Sequence, residues 1–147
     1  MQAPDRWLLL IHAAATLFMV GVIWFVQVVH YPLFDAVGRE EFSRYESRHQ
    51  QLVTLVVGPT MLIEALTAVL LIRWGVQPVW ITWSGLGLLV VIWASTAFLQ
   101  VPCHEQLNQS FVASTHTFLV VSNWVRTVAW SLRGVLVLLL LADRMGS

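Results

Sequence analysis

The sequence contains no lysine and few charged residues of any kind. Eight arginines and eight acidic residues make up 11% of the 147 residues, and the formal net charge is zero. A surface that binds nucleic acid needs clustered positive charge, so this composition excludes nucleic acid as a partner. The chain also has a single cysteine, Cys103, so we expect no internal disulfide.

Apolar residues, in contrast, make up 58% of the chain. They form four continuous windows at about residues 7–29, 52–72, 79–101 and 111–142. Each window is near or above the ~20 residues that cross a hydrocarbon core of ~30 Å. A membrane β-barrel would instead show short alternating segments. The sequence therefore predicts an all-α integral membrane protein, a four-helix bundle that forms one domain over residues 1–147.

Four membrane crossings place both termini on one side of the membrane. The connections 30–51 and 102–110 then lie on the other side, and residues 39–51 are polar and free of Gly and Pro. That composition predicts a helical extension of the second span. Loop arginines are equally divided between the two sides, but acidic residues accompany those of the 30–51 connection, which favours cytoplasmic termini. We expect a bacterial inner membrane.

Polar residues recur at helical spacing inside three of the four windows. A charge or an imidazole at membrane depth is costly, so such residues normally face the interior of a bundle. Steps of three, four and seven residues put them on one face of each helix. We therefore expect three inward polar stripes: His12, Thr16, Gln27 and His30; Glu46, His49, Thr60, Glu64 and Thr67; and His116, Asn123, Arg126 and Arg133.

Glu64 and Arg133 lie deep inside the second and fourth windows. Counted from the side of the termini, Glu64 lies eight residues inside Ile72, and Arg133 lies nine residues inside Ala142. Because a helix rises by about 1.5 Å per residue, the two side chains should meet at similar depth. Unpaired charges inside a membrane are rare, so the sequence predicts an ion pair between them.

Four of the five histidines fall where predicted spans meet the same membrane surface. Glu46 lies one helical turn before His49, a Glu-x-x-His spacing that di-iron helical bundles use. Imidazoles and carboxylates from separate helices could hold zinc, copper or iron, and these ligand types do not select among the three. The sequence therefore predicts a transition-metal site built from His30, Glu46, His49, His104 and His116.

Two other interpretations of the histidines stay open. Two of them could be axial ligands of a haem in an electron-transfer protein, with arginines near the propionates. Alternatively, they are ordinary interfacial histidines, and the polar stripes fix helix packing in a non-catalytic membrane subunit. The sequence has no nucleophile elbow, no phosphate-binding glycine loop and no internal repeat that would favour a hydrolase, a nucleotide-binding enzyme or a transporter.

Three motifs carry a likeness to a known family: "GVIWFVQVVHYPLF" ending the first span, "VPCHEQLNQ" after the third and "NWVRTVAWSLR" in the fourth. Together they resemble small four-helix bacterial membrane proteins related to the anthrone-oxygenase-like family. That family typically has a Val-Pro-x-Asn-x-x-Leu element after span three and a Trp, Asn and Arg pattern in span four. His104 replaces the usual Asn, whereas the positions that match in kind are Pro102, Leu107, Asn123, Trp124 and Arg126.

The resemblance implies an oxygenase that acts on a polycyclic phenolic substrate. A looser likeness links His12, early in the first span, to membrane haem proteins of about four helices, such as a bacterial type of protoporphyrinogen oxidase. In that comparison His12 would be the haem-associated residue.

From the residues and the resemblance together we predict a metal-dependent membrane oxidoreductase of the oxygenase type. Arg126 and Asn123 would form the floor of a pocket that a lipophilic substrate reaches between the helices. Arg126 would stabilise developing negative charge, and either Tyr31 or Tyr45 would assist as a hydrogen-bond donor or redox neighbour. The expected partners are the lipid bilayer and a lipophilic small molecule, and homo-oligomerisation stays open.

Overall fold

Four long helical stretches make up the computed structural model of the protein, which describes residues 3–145. All four are long and apolar enough to cross a membrane: Arg6–Ala36, Phe42–Arg73, Val79–Gln109 and Ala113–Arg144. No strand occurs among the described residues. The predicted all-α fold of an integral membrane four-helix bundle is confirmed.

The first and third stretches are each interrupted by a turn of wider helix. Helix α1 (Ala3–Phe25) continues through a π-helical turn, Val26–His30, into a short 3-10 helix, Pro32–Ala36. Helix α3 (Val79–Ser95) continues through a second π-helical turn, Thr96–Gln100, into α4 (Val101–Gln109). The two uninterrupted stretches are α2 (Phe42–Arg73) and α5 (Ala113–Met145).

Two boundaries test the predicted layout of the spans. The helical extension was predicted over residues 39–51, and α2 begins at Phe42, so the helix includes residues 42–51 of that stretch. The third span does not end at residue 101, since the helix runs on to Gln109 and the connection to α5 shrinks to residues 110–112. The sequence prediction treated 102–110 as a connection, and the structure corrects it.

Each π-helical turn ends two residues before a single proline, Pro32 or Pro102. The backbone N–H of Tyr31, the residue before Pro32, donates to the carbonyl of Val26 over 2.9 Å. The N–H of Val101, before Pro102, likewise donates to the carbonyl of Thr96. A proline has no N–H to donate, and its ring clashes with the carbonyl four residues earlier in a regular α-helix. A wider turn gives the ring room, so the chain stays helical through both prolines.

The distribution of polar and apolar residues is inverted relative to that of a water-soluble protein. Large apolar side chains point outward, with Leu55 72% and Phe98 77% exposed. The polar stripes are turned inward, as predicted, and the buried members include His12, Thr16, Gln27, Glu46, Glu64, Thr67, Asn123, Arg126 and Arg133. An outer surface of Leu, Val, Phe and Trp suits contact with lipid.

Apolar clusters fill the bundle at its two ends and its middle. One end cluster joins Leu8 near the start of α1 to Leu140 near the end of α5, so these two helix ends lie at the same end of the bundle. The opposite end holds a cluster around Phe34, Phe42 and Leu119. We call this opposite end the histidine end, because His30, His49, His104 and His116 surround the cluster there.

The predicted ion pair between Glu64 and Arg133 is confirmed. Arg133 Nε donates to Glu64 Oε1 over 2.9 Å, and both side chains are buried. Thr16 Oγ1 donates to the same carboxylate oxygen over 2.9 Å, and Trp130 Nε1 donates to Oε2 over 3.0 Å. A second guanidinium nitrogen of Arg133 donates to the carbonyl of Gly85. The pair therefore ties together residues from α1, α2, α3 and α5.

Candidate functional site

A chain of three side chains from three elements runs through the histidine end. The hydroxyl of Tyr31 lies 2.9 Å from Nε2 of His104, and Nδ1 of His104 lies 2.5 Å from Oε1 of Glu46. A carboxylate can only accept, so Nδ1 carries the ring proton, and Nε2 is left to accept from the tyrosine hydroxyl. We call Tyr31, His104 and Glu46 the relay.

Gln50 supports the relay from one helical turn beyond Glu46. Its Nε2 donates to Oε1 of Glu46 over 3.2 Å and to the backbone carbonyl of His104 over 3.0 Å. Glu46 is fully buried, and its Oε2 has no hydrogen-bond partner among the described residues. Gln50 thus fixes α2 against α4 at the point where the relay crosses between them.

His30 and His49 form a second contact beside the relay. Nε2 of His30 lies 2.9 Å from Nδ1 of His49. The Tyr45 ring stacks on His49, with 6.5 Å between the ring centroids. Phe34 presents its edge to both imidazoles, each at a centroid distance of 5.3 Å. The apolar ring of Phe34 therefore packs against both imidazoles of the pair.

His116 turns to the backbone and does not join the other histidines. Its Nε2 donates to the carbonyl oxygen of Tyr31 over 2.8 Å, and its ring stacks on Phe34. The carbonyl it binds belongs to the residue that precedes Pro32 in the first span. His116 therefore orients Tyr31 through the backbone.

A cavity of about 310 Å³ lies between α1, α2, the third span and α5. Its volume is at the lower end of the range usual for small-molecule sites. Its wall is mostly apolar, and the polar groups on it are Tyr31, His49, Gln50, Thr54, Thr96, Gln100, His104, Glu105 and Arg126. Thr54 of α2 and Trp93 and Val101 of the third span are exposed lining residues. They place an opening of the cavity between α2 and the third span, on the outer surface of the bundle.

Arg126 lies on the cavity wall, as predicted, and is buried. It lines the same cavity as Tyr31, and its guanidinium carbon lies 5.4 Å from the centroid of the Trp130 ring. Its Nε atom has no hydrogen-bond partner among the described residues. The cation therefore shares the cavity wall with the first member of the relay.

Asn123 lies away from the cavity, although the sequence placed it beside Arg126 on the pocket floor. Its Nδ2 donates to Oε1 of Gln27 over 2.9 Å, and Thr127 Oγ1 donates to the same oxygen over 3.2 Å. Gln27 in turn donates to the carbonyl of Val120 over 3.1 Å. The structure thus gives Asn123 a place in the packing of α5 against the end of the first span.

The five predicted metal ligands do not converge on one point. Both ring nitrogens of His104 are occupied by the relay, and His116 donates to a backbone carbonyl. Among the described residues, no group of three or more His, Cys, Asp or Glu side chains could hold a metal ion. Only His30 and His49 bring two ring nitrogens face to face. This arrangement offers a metal two ring nitrogens, from His30 and His49, and no third ligand among the described residues, so no chemical step is derived through a metal, and the metal centre stays a prediction.

The sequence analysis did not identify two residues that support the polar groups of the site, Gln50 and Phe34. Gln50 carried a signal, because it lies four residues after Glu46 and so on the same helical face. Phe34 carried a weaker one, four residues after His30 but beyond Pro32, where helical spacing is not expected to continue. Both residues hold the polar groups in place.

Comparisons with known proteins identify no relative. No protein-family model matches the chain, and no curated protein and no solved structure matches it. The likeness to anthrone-oxygenase-like proteins therefore rests on the sequence motifs and stays a prediction.

Proposed function

We propose that this integral membrane protein is an oxidoreductase of the oxygenase type, acting on a lipophilic phenolic substrate in the cavity at the histidine end. The observation that carries the proposal is the meeting of the relay and Arg126 on one cavity wall. A proton acceptor and a buried cation together suit the formation of an electron-rich oxyanion. The mostly apolar wall and the lateral opening suit a lipophilic substrate.

The relay would remove the substrate proton. As the substrate hydroxyl donates to the oxygen of Tyr31, the tyrosine proton moves to Nε2 of His104, and the Glu46 carboxylate stabilises the imidazolium that forms. The proton thus passes to His104, from which it can leave for the aqueous buffer. Glu46 also holds the ring in the tautomer that leaves Nε2 able to accept.

Arg126 would stabilise the substrate anion. In a cavity with few polar groups, a fixed guanidinium interacts with an oxyanion far more strongly than it would in water. In this proposal dioxygen is the oxidant: one of its oxygen atoms becomes a carbonyl oxygen on the substrate carbon para to the oxyanion, and the other takes up two hydrogens of the substrate and leaves as water. The protein contributes the position of the substrate, the removal of its proton and the neutralisation of its charge.

Oxygen consumption by the purified protein in lipid nanodiscs tests the proposal, with anthrone, whose enol tautomer anthranol is a lipophilic phenol, as the probe. His104→Gln should lower the rate by about 10²–10⁴-fold, the usual size of general acid–base catalysis. Arg126→Met should lower it by about 10²–10³-fold. Arg44→Met is the matched control, because Arg44 is exposed and pairs with the surface residue Glu41. Equal rates in the wild type and all three variants would show that the residues do not carry the reaction.

A metal-dependent oxidation is the second candidate, and the His30–His49 contact is the observation that favours it. The ring nitrogens of neighbouring histidines are the usual ligands of zinc, copper and iron. Elemental analysis and a visible spectrum of the purified protein test both this candidate and the haem alternative. A stoichiometric metal or a Soret band that disappears in a His30→Ala, His49→Ala variant would support it, and an equally metal-free wild type and variant would oppose it.

The orientation of the protein in its membrane follows from the side on which its two termini lie. We infer a bacterial inner membrane from the likeness to small bacterial membrane proteins, and both termini in the cytoplasm because acidic residues accompany the arginines of the 30–51 connection. Fusing green fluorescent protein or alkaline phosphatase after residue 147 tests the orientation. Fluorescence without phosphatase activity is the expected result, and the reverse pattern would invert the topology.

A further inference from the structure

Two arginines of α5 are buried, but only one of them has an acidic partner. Arg133 pairs with Glu64. Arg126 lies seven residues earlier on the same helix and forms no ion pair with any acidic side chain of the described residues. Burial does not account for this difference in pairing, because both side chains are buried: Arg126 is 7% and Arg133 2% exposed.

A buried charge without a counter-charge is costly, and more so inside a membrane. Tyr31, a neutral phenol, lines the same cavity as Arg126, and the ring centroid of Trp130 lies 5.4 Å from the guanidinium carbon. Neither brings a full negative charge to the guanidinium. Such unpaired charges inside membranes commonly mark the place where a ligand binds.

The surroundings of the cavity offer no replacement for the missing anion. Glu46 is fully buried and engaged by His104 and Gln50. Glu105, the acidic residue on the cavity wall, is exposed and forms no ion pair with Arg126. The titratable and charged groups that face the cavity are Tyr31, His49, His104, Glu105 and Arg126.

We propose that the ligand of this cavity binds as an anion, with an ionised hydroxyl oxygen paired to Arg126. This inference rests on the proposed function and names the state in which its substrate is held. A phenol or an enol gives its proton to the relay, which passes it on from His104 to the aqueous buffer, and Arg126 takes the place of that proton beside the oxygen. One proton is therefore released to the solution for each ligand bound.

The rest of the cavity restricts the ligand to an amphiphile with one acidic group. Opposite the polar groups the wall is formed by residues such as Met19, Val22, Val57 and Met61. These side chains offer no partner for a second charge. The opening beside Trp93 and Val101 faces the outer surface that suits lipid. The acidic head therefore points inward to Arg126, and the apolar body reaches back toward the bilayer.

A coloured phenol tests the ionisation directly. The probe is 2-octyl-4-nitrophenol, because its anion absorbs visible light and its neutral form does not. It is added to the full-length protein in nanodiscs of zwitterionic lipid, in a weak buffer held below the pKa of the probe. We expect the anion absorbance and a release of one proton per protein. The methyl ether of the probe, which cannot ionise, serves as the matched ligand.

Arg126→Met separates recognition from folding. The variant should lose the anion absorbance and bind the phenol about 10–100-fold more weakly, the usual loss for a hydrogen bond to a charged group. Its thermal midpoint without ligand should equal or exceed that of the wild type, because a costly buried charge has been removed. Arg44→Met, at an exposed position, should change neither binding nor absorbance.

The outcomes distinguish this inference from the proposed function. Binding of the phenol without the anion absorbance would overturn the inference and leave the cavity as a substrate site. Unchanged anion absorbance in Arg126→Met would place the ionised oxygen elsewhere and also overturn it. If neither the phenol nor its ether binds, the cavity takes no lipophilic phenol, and both the inference and the proposed function fail.

Discussion

The Nε atom of Arg133 lies 2.9 Å from Oε1 of Glu64, in the interior of a bundle whose outer surface is apolar. This pair lies on the side of Arg126 that is farther from the histidine end. We therefore expect loss of this pair to lower the stability of the bundle without disturbing the relay.

Arg133→Leu should lower the free energy of unfolding by about 3–5 kcal/mol, since it leaves the Glu64 carboxylate buried without its cation. Replacing Glu64 by Leu as well should restore most of that loss, because both charges are then gone. Unfolding in detergent, followed by circular dichroism, measures both effects. A double variant no more stable than Arg133→Leu alone would show that the two residues do not act as a pair.

Glu46→Gln should lower the rate of oxygen consumption by about 10²–10⁴-fold, because an amide no longer fixes the His104 tautomer or stabilises an imidazolium. The bundle should remain folded, since Gln keeps the shape of the side chain. Rate and thermal midpoint are measured on the same nanodisc preparation. Glu40→Gln, at an exposed position before α2, is the control and should behave as the wild type. Equal rates for both variants would remove Glu46 from the relay.

Asn123→Ala should reduce stability and leave the rate of the folded protein unchanged. The change removes the donor to Gln27 and leaves a buried amide oxygen less well satisfied, at a cost of about 1–3 kcal/mol. Thermal unfolding and the rate per folded molecule, measured together, separate the two effects. A rate loss as large as that of Arg126→Met would instead place Asn123 in the catalytic machinery, as the sequence suggested.

Deleting Leu99 should convert the second π-helical turn into ordinary helix. Each residue of a helix turns it by about 100°, so His104 would rotate away from Tyr31 and Glu46. We expect loss of oxygen consumption with normal insertion into the membrane, assessed by expression and protease protection. Deleting Gly38, in the connection before α2, is the control. Full activity after the Leu99 deletion would show that the turn does not position the relay.

Much of the fold followed from the sequence because the bilayer imposes simple rules. The lengths of the apolar windows predicted the four spans. The depths of Glu64 and Arg133, counted along their helices, predicted the contact between these two residues. The continuation of the third span to Gln109 could not be predicted, because a proline normally marks the end of a helix. The π-helical turn that accommodates Pro102 leaves no mark in hydrophobic periodicity.

The site was predicted less completely than the fold. Placing His104 and Glu46 at one end of the bundle required only the order of the spans. Their pairing with Tyr31 depends on the helical register after both π-helical turns, which spacing alone does not give. Asn123 and Arg126 share an inward stripe, yet only Arg126 reaches the cavity, because three residues fall about 60° short of a full helical turn and move the side chain by about 4.5 Å along the helix axis.

The two π-helical turns set the rotation of the histidine end relative to the rest of the bundle. Each turn holds one residue more than an α-helical turn would, so a chain with regular helices at both places could keep the Glu64–Arg133 pair and the apolar cluster around Leu8 and Leu140. In that chain Tyr31 and His104 would face other directions. Two single residues therefore decide whether the side chains at the histidine end meet one another, whereas the packing of the other end does not depend on them.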